Sequence, residues 1–185
     1  MAHAVPPAYW GAARTILQGL GIRPTGTNLK LLVAWFVRER GWAGALATHN
    51  PIDSVLPVAG SYLLPGNTAS VRIYPTLAIG LQADTDTLKA SYYAPLRAAL
   101  RASSPAEWFS ADRAWSDALC GNPAGCGNPT TPQYLAGMRT IYDQLPQPPG
   151  AYLKPGPAGS GALIPNPVLL AALAVAGALV VMEVV

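Results

Sequence analysis

Glu39 is the carboxyl group in this sequence that is best placed to act as a general acid. Only nine residues are Asp or Glu. Glu39 falls near the C-terminal end of the strongest predicted helix, where the helix macrodipole disfavours a negative charge. Phe36 and Trp35 precede it by three and four residues, so one side of the carboxyl should face apolar surface. Both effects raise the pKa, as proton donation near neutral pH requires. The alternative is an exposed glutamate balanced by Arg38 and Arg40.

Other reactive groups are few, which excludes several classes of chemistry. A zinc site needs about four ligands, and the only histidines, His3 and His49, lie far in sequence from each other and from the cysteines. No phosphate-binding loop and no Gly-x-Ser-x-Gly motif is present, so neither nucleotide hydrolysis nor serine-esterase chemistry is expected. We therefore predict no metal and no cofactor.

The two cysteines lie within a repeated Cys-Gly-Asn-Pro turn motif. Cys120 and Cys126 are close enough in sequence for a short local disulfide. Formation of that bond would indicate an oxidising compartment, whereas two free thiols would indicate a reducing one. The sequence leaves both readings open.

Helices joined by turns should position Glu39. Apolar spacing predicts a helix over residues 9–20 and a second that begins at Thr27 or Asn28 and stops at Gly41. A third helix should open at Pro75, a short one should cover 94–102, and a capping box at 104–107 should precede Trp108. Residues 50–73 read as a long irregular or weakly stranded excursion, where a ligand often binds.

The C-terminal residues differ in composition from the rest. Hydrophobic residues make up 51% of the chain and charged residues only 11%, against about a quarter charged in soluble domains. Residues 163–182 are almost wholly apolar, and about 20 such residues span a bilayer. They predict a membrane anchor, with a buried C-terminal helix as the alternative. The Pro- and Gly-rich residues 144–161 predict an extended spacer before it.

Charge and targeting signals limit the partners. The formal net charge is +3, and the twelve Lys and Arg are scattered, so nucleic acid is not expected as a partner. A mildly basic surface would suit an anionic cell-wall polymer. The first residues do not form a signal peptide, so secretion by that route is not expected.

Two blocks of the sequence together resemble phage and bacterial lysozyme-like domains. The first is Leu-Val-Ala-Trp-Phe-Val-Arg-Glu-Arg-Gly at 32–41, followed by His-Asn-Pro-Ile-Asp at 49–53. The second is Tyr-Pro-Thr-Leu-Ala-Ile-Gly-Leu-Gln-Ala at 74–83, continuing through Thr-Leu at 87–88 and Tyr-Tyr-Ala-Pro-Leu at 92–96. The resemblance extends over about residues 12–115. It implies a lysozyme-like domain over 1–118. The composition of the remaining residues predicts turns, a short helix and the linker over 119–162, and the anchor over 163–185.

This resemblance implies a mainly α fold with a groove that binds the glycan strand of peptidoglycan. Glu39 would protonate the glycosidic oxygen. The substrate-binding residues would be Asn50, Tyr74, Tyr92 and Tyr93. Those domains often show Glu-Gly-Gly, whereas Arg40 follows the glutamate here and could lower its pKa.

Asp53 decides between two mechanisms. As a second carboxylate in the groove it would make the enzyme a lysozyme-type hydrolase. As an ordinary turn residue it would leave Glu39 to act as both acid and base, as in lytic transglycosylases, and the sequence slightly favours this single-glutamate mechanism.

The resemblance and the anchor together suggest a membrane-anchored enzyme of a phage virion, in contact with lipid and with capsid or other virion proteins. One alternative is a non-catalytic structural or adaptor protein that links a capsid or cell wall to a membrane. Another is a remodelling enzyme of the bacterial cell envelope.

Overall fold

Seven helices and one short hairpin make up the computed structural model, which describes residues 4–44, 46–67, 69–120 and 131–153. The helices are α1 (Pro7–Gly19), α2 (Gly26–Gly44), α3 (Leu77–Leu88), α4 (Ala94–Ala102), α5 (Pro105–Ser110), α6 (Asp112–Cys120) and α7 (Thr131–Gln144). The strands are β1 (Tyr62–Leu63) and β2 (Arg72–Ile73), and 3-10 turns occupy Ser91–Tyr93 and Gly150–Tyr152. The predicted mainly α fold is confirmed.

Helix α2 forms the centre of the core. Leu29 and every residue from Leu31 to Val37 are buried, and a helix that is apolar on all sides must be covered by neighbours. Helices α1 and α7 pack against it. The hydroxyl of Thr25 caps its first turn by accepting a bond from the backbone N–H of Asn28 at 3.1 Å. Gly41 has a φ of 75° and breaks the helix, as the sequence predicts.

Side-chain caps set the start of two shorter helices. Helix α3 begins at Leu77, two residues after the predicted Pro75, because the hydroxyl of Thr76 accepts a bond from the backbone N–H of Ile79 at 3.3 Å. The predicted cap at Ser104 is confirmed, since its hydroxyl accepts a bond from the backbone N–H of Glu107 at 3.2 Å.

Residues 50–73 form the weakly stranded excursion that the sequence predicts. Strands β1 and β2 pair antiparallel, with Tyr62 opposite Ile73 and Leu63 opposite Arg72. The side chain of Asn50 closes the base of this excursion. Its amide nitrogen donates to the carbonyls of Ser54 at 2.8 Å and Arg72 at 2.7 Å, and its oxygen accepts from the backbone N–H of Ser54 at 2.7 Å.

The helical unit continues beyond the predicted boundary at residue 118, which falls inside α6. Helix α7 packs on α2 and α6, and the first compact unit spans Met1–Lys154. Most of the core comes from α2 and the helices around it. Because α7 packs on α2, a domain that ended at residue 118 would leave apolar surface of α2 exposed.

The first part of the predicted spacer is packed rather than extended. Leu145 and Pro148 are buried, Tyr152 packs against the core, and Arg14 donates to the carbonyl of Ala151 at 3.4 Å. The prolines of this segment restrict its backbone and so reduce the entropic cost of ordering it. Burial of the apolar side chains offsets the remaining cost.

The rest of the predicted linker, the predicted anchor at 163–185 and Cys126 lie outside the described residues. The side chain of Cys120 does as well. Among the residues that the structure describes, no helix is both long and apolar enough to cross a bilayer.

Candidate active site

Two hydrogen bonds hold the carboxyl group of Glu39 in place. Glu39 lies on the last turn of α2 before Gly41. The indole N–H of Trp35, one turn earlier, donates to Oε1 at 2.9 Å, and the hydroxyl of Tyr134 on α7 donates to the same oxygen. Both of these hydrogen bonds, from residues in the described part of the chain, end on Oε1 of Glu39. Oε2 is therefore the oxygen that can carry a proton.

The surroundings of Glu39 raise its pKa above the usual range. Burial is the largest cause, and the negative charge of Asp53 adds to it. The bond from Tyr134 opposes the shift most strongly, followed by the bond from Trp35 and the charge of Arg38. The direction is the one that the sequence predicts, but Trp35 contributes an N–H donor as well as apolar surface.

An aromatic cluster lies beneath this carboxyl group. The ring of Trp35 contacts that of Trp115 edge to face with 4.9 Å between centroids, and Trp108 contacts Trp115 in the same way at 5.1 Å. Trp108 and Trp115 are fully buried. Because Trp35 donates to Glu39, the packing of these rings positions one of the two hydrogen-bond donors of the carboxyl group.

Glu39 and Asp53 line one cavity of about 440 Å³. Tyr92 and Tyr93, with ring centroids 4.5 Å apart, form part of its wall together with Trp115. Small polar side chains add further hydroxyl and amide groups to the wall. They are Ser54, Asn67, Ser70 and Thr87. A cavity of this size with apolar walls and a few polar groups is typical of a ligand site.

Asp53 is held by Arg40. It adopts a left-handed backbone conformation with φ 57°, and its carboxylate forms an ion pair with Arg40 at 2.5 Å. Burial raises the pKa of Asp53, and Arg40 offsets part of that rise. The sequence suggests that Arg40 could lower the pKa of Glu39. In the structure Arg40 pairs with Asp53 instead, and the cation that acts on Glu39 is Arg38.

Two of the residues predicted to bind substrate support the excursion instead of lining the cavity. Tyr74 is only 1% exposed. Its hydroxyl donates to the carbonyl of Leu56 at 2.8 Å and lies 3.1 Å from Oγ of Ser54. Asn50 is fully buried, and its side chain is fully used in closing the base of the excursion. Of the predicted site residues, the structure thus brings Glu39, Asp53, Tyr92 and Tyr93 together.

Sequence reasoning missed two groups near the site. Tyr134 lies beyond the predicted domain, although its spacing with Leu135 and Met138 marks a buried helix face. Asp84 on α3 is fully buried, and neither of its carboxyl oxygens has a hydrogen-bond partner in the described part of the chain. Burial raises its pKa well above the usual range, and the charge of Asp53 adds to the rise.

No group of three or more His, Cys, Asp and Glu side chains within the described ranges could hold a metal ion. The chain matches no protein-family model, no curated protein and no solved structure.

Proposed function

We propose that this protein cleaves the glycan strand of peptidoglycan, with Glu39 as the proton donor. The observation that carries the proposal is the state of the Glu39 carboxyl group. It reaches a cavity with polar and aromatic walls, its pKa is raised by burial, and both of its hydrogen-bond donors bind Oε1. A carboxyl group that is held in one orientation and has a raised pKa is suited to give a proton to a departing glycosidic oxygen.

The chemistry proceeds in two proton transfers on the same carboxyl group. Glu39 gives its proton to the glycosidic oxygen as the bond from that oxygen to the anomeric carbon breaks. The C6 hydroxyl of the same muramic acid residue then attacks the anomeric carbon and gives its proton to the Glu39 carboxylate. The products are a free hydroxyl end and a 1,6-anhydro end, and Glu39 is protonated again without the entry of water.

The ion pair between Arg40 and Asp53 supports this single-glutamate mechanism over hydrolysis through a second carboxylate. A nucleophile must turn its carboxylate toward the anomeric carbon, whereas the guanidinium group of Arg40, 2.5 Å from Oδ1 of Asp53, holds that carboxylate and offsets part of the rise that burial gives its pKa. Asp53 contributes its negative charge near the anomeric carbon, which becomes positive in the transition state.

The sequence supplies the rest of the proposal. The blocks at 32–53 and 74–96 resemble lysozyme-like domains, so we assign the helical unit to that fold. Residues 163–182 would anchor it in a membrane. A virion membrane is the location that we propose, because a phage with such a membrane must open the cell wall locally.

The nature of the new chain ends tests this function. The full chain is incubated with purified peptidoglycan, and the released fragments are weighed by mass spectrometry. Fragments with anhydro ends support the proposal, and fragments with reducing ends would replace it with hydrolysis involving Asp53. Release of no fragments, combined with retained binding to peptidoglycan, would favour the structural or adaptor protein.

A further inference from the structure

The β1–β2 hairpin carries the most exposed large apolar side chains of the described residues. Tyr62 is 56% exposed and Leu63 is 54% exposed. Neither of them lines the cavity that Glu39 reaches, so a partner that covers them takes no side chain away from the cavity wall. Large apolar side chains that protrude together from one tip mark a surface that a partner covers.

The register of the hairpin places Tyr62 and Leu63 on opposite faces. Tyr62 pairs with Ile73 and Leu63 pairs with Arg72. Directly paired side chains share a face, and neighbouring side chains alternate along a strand. A flat surface on another protein, or one face of a sugar ring, would cover only one of the two side chains. A medium that surrounds the tip, such as lipid, covers both.

The charged residues of the excursion lie at its base and are bound within the protein. Asp53 pairs with Arg40, and Arg72 donates to the hydroxyl of Ser61 at 3.1 Å. Residues 54–71, which lie between the two charges, include no Asp, Glu, Lys or Arg. The tip can therefore enter a lipid surface without the large cost of taking a charge out of water.

The tip of the hairpin also pairs several of its own backbone donors. The backbone N–H of Leu64 donates to the carbonyl of Val71 at 2.8 Å, and that of Asn67 donates to the carbonyl of Leu64 at 3.1 Å. The side-chain oxygen of Asn67 accepts from the backbone N–H groups of Ala69 at 2.8 Å and Val71 at 3.3 Å. Pro65 has no N–H to pair. Because an unpaired N–H is costly in lipid, this pairing lowers the cost of insertion.

The proposed membrane anchor would keep the hairpin close to a bilayer. The described residues end at Leu153, and residues 154–162 reach at most about 30 Å when fully extended. A tethered unit meets the membrane at a high effective concentration, so two apolar side chains can hold a contact that would be weak without the tether. A tyrosine suits the boundary between lipid and water, because its ring is apolar and its hydroxyl is polar.

We propose that the tip of the β1–β2 hairpin, with Tyr62 and Leu63, inserts into the surface of a phospholipid bilayer whose headgroups carry no net charge. The inference rests on the membrane location proposed above and does not depend on the cleavage of glycan. It gives the helical unit a contact with the membrane in addition to the anchor.

The test measures the depth of nitroxide spin labels in the full chain bound to phosphatidylcholine vesicles. Labels are attached at Tyr62→Cys, Leu63→Cys and, as a control, the exposed Glu107→Cys, each in a chain with serine in place of both native cysteines. Dissolved oxygen, which concentrates in lipid, and a nickel complex, which stays in water, each relax an accessible label. We expect the labels at 62 and 63 to lose their accessibility to nickel when vesicles are added. The label at 107 should keep it.

Leu63→Asp, followed with the label at position 62, tests the contribution of the apolar side chain. It should lower the equilibrium constant for insertion at least about tenfold, because a charge replaces an apolar group that enters lipid. Leu153→Asp is the matched control, since it alters a leucine that is 41% exposed outside the hairpin. It should leave that constant unchanged.

Labels at 62 and 63 that stay accessible to nickel on a vesicle-bound chain would overturn the inference and leave the anchor in place. Immersion of only one of the two labels would also overturn it, since the partner would then cover a single face. A chain that does not bind the vesicles would overturn both the inference and the membrane location. Protection of the labels by purified glycan strands, without protection by vesicles, would assign the hairpin to the substrate instead.

Discussion

The hydroxyl of Tyr134 on α7 donates a hydrogen bond to Oε1 of Glu39, 95 residues earlier in the chain. It joins the indole N–H of Trp35 on that oxygen. Helices α2 and α7 therefore each contribute one hydrogen-bond donor that orients the carboxyl group. Because the hydrogen bond from Tyr134 changes the pKa of Glu39, its loss should change the dependence of the reaction rate on pH.

Removal of the Tyr134 hydroxyl should extend activity to higher pH. The bond from Tyr134 lowers the pKa of Glu39, so Tyr134→Phe should raise it further. A general acid works while protonated, and its activity is lost as pH rises through its pKa. The alkaline limb of the profile of kcat against pH should therefore move upward. A downward shift, or no shift, would show that Tyr134 does not act on the reacting carboxyl group.

Neutralisation of Asp53 should move the same limb in the opposite direction. The charge of Asp53 raises the pKa of Glu39, so Asp53→Asn should lower it and shift the alkaline limb downward. Asn tolerates the left-handed backbone at this position. On the acid side kcat should stay within about tenfold of the wild type. Loss of activity at every pH would instead assign the nucleophile or base to Asp53.

Asp84 should make the folding stability depend on pH. Burial without a partner raises its folded pKa above the unfolded value. The neutral form is therefore favoured in the folded state, and stability falls as pH rises from the unfolded pKa, about 3.9, toward the folded one. In urea titrations between pH 4 and 8, Asp84→Asn should show a smaller fall than the wild type.

The control for Asp84 is Asp86→Asn on the same helix. Asp86 is exposed and pairs with Lys89 at 2.8 Å, so its replacement should change stability by no more than about 1 kcal/mol at any pH. Equal pH slopes for the wild type and Asp84→Asn would mean that Asp84 finds a partner in solution.

Gly80 allows α3 to contact the turn before Asn50. A Cβ at this position would lie 1.6 Å from the carbonyl oxygen of His49, and backbone cannot yield as a flexible side chain can. Gly80→Ala should therefore lower the free energy of unfolding by at least about 2 kcal/mol. In α7, Gly137→Ala would meet only the side chain of Arg38 and should be neutral or stabilising by up to about 1 kcal/mol. Chemical denaturation measures both, and similar stabilities for the two variants would contradict the packing of α3.

Local patterns in the sequence predict the elements that depend on local interactions. The apolar residues of α2, its stop at Gly41 and the cap at Ser104 can be read from spacing and turn chemistry. The direction of the pKa shift of Glu39 is predicted correctly from apolar neighbours on its helix, but burial by several helices is the largest cause, and the N–H of Trp35 opposes the shift. Helix α3 begins two residues later than predicted because the Thr76 hydroxyl makes a better cap than Pro75 can.

Contacts between distant segments could not be predicted in this way. No local signal joins Tyr134 to Glu39, and nothing in the spacing shows that Arg40 pairs with Asp53 instead of influencing Glu39. The burial of Asp84 could have been predicted, because Asp84 falls on the same helical face as Leu81 and Leu88. The sequence could not decide between the core and a sugar site for Tyr74, because an aromatic residue suits both equally well.

Cleavage of purified peptidoglycan by the full chain with Glu39→Gln tests the central claim most directly. Glutamine preserves the shape of the side chain but has no proton to give, so the rate should fall by at least about 100-fold. Binding to peptidoglycan should persist. Glu107→Gln, which alters an exposed glutamate, should leave the rate unchanged. Cleavage by Glu39→Gln at the wild-type rate would contradict the assignment of Glu39 as the catalytic acid.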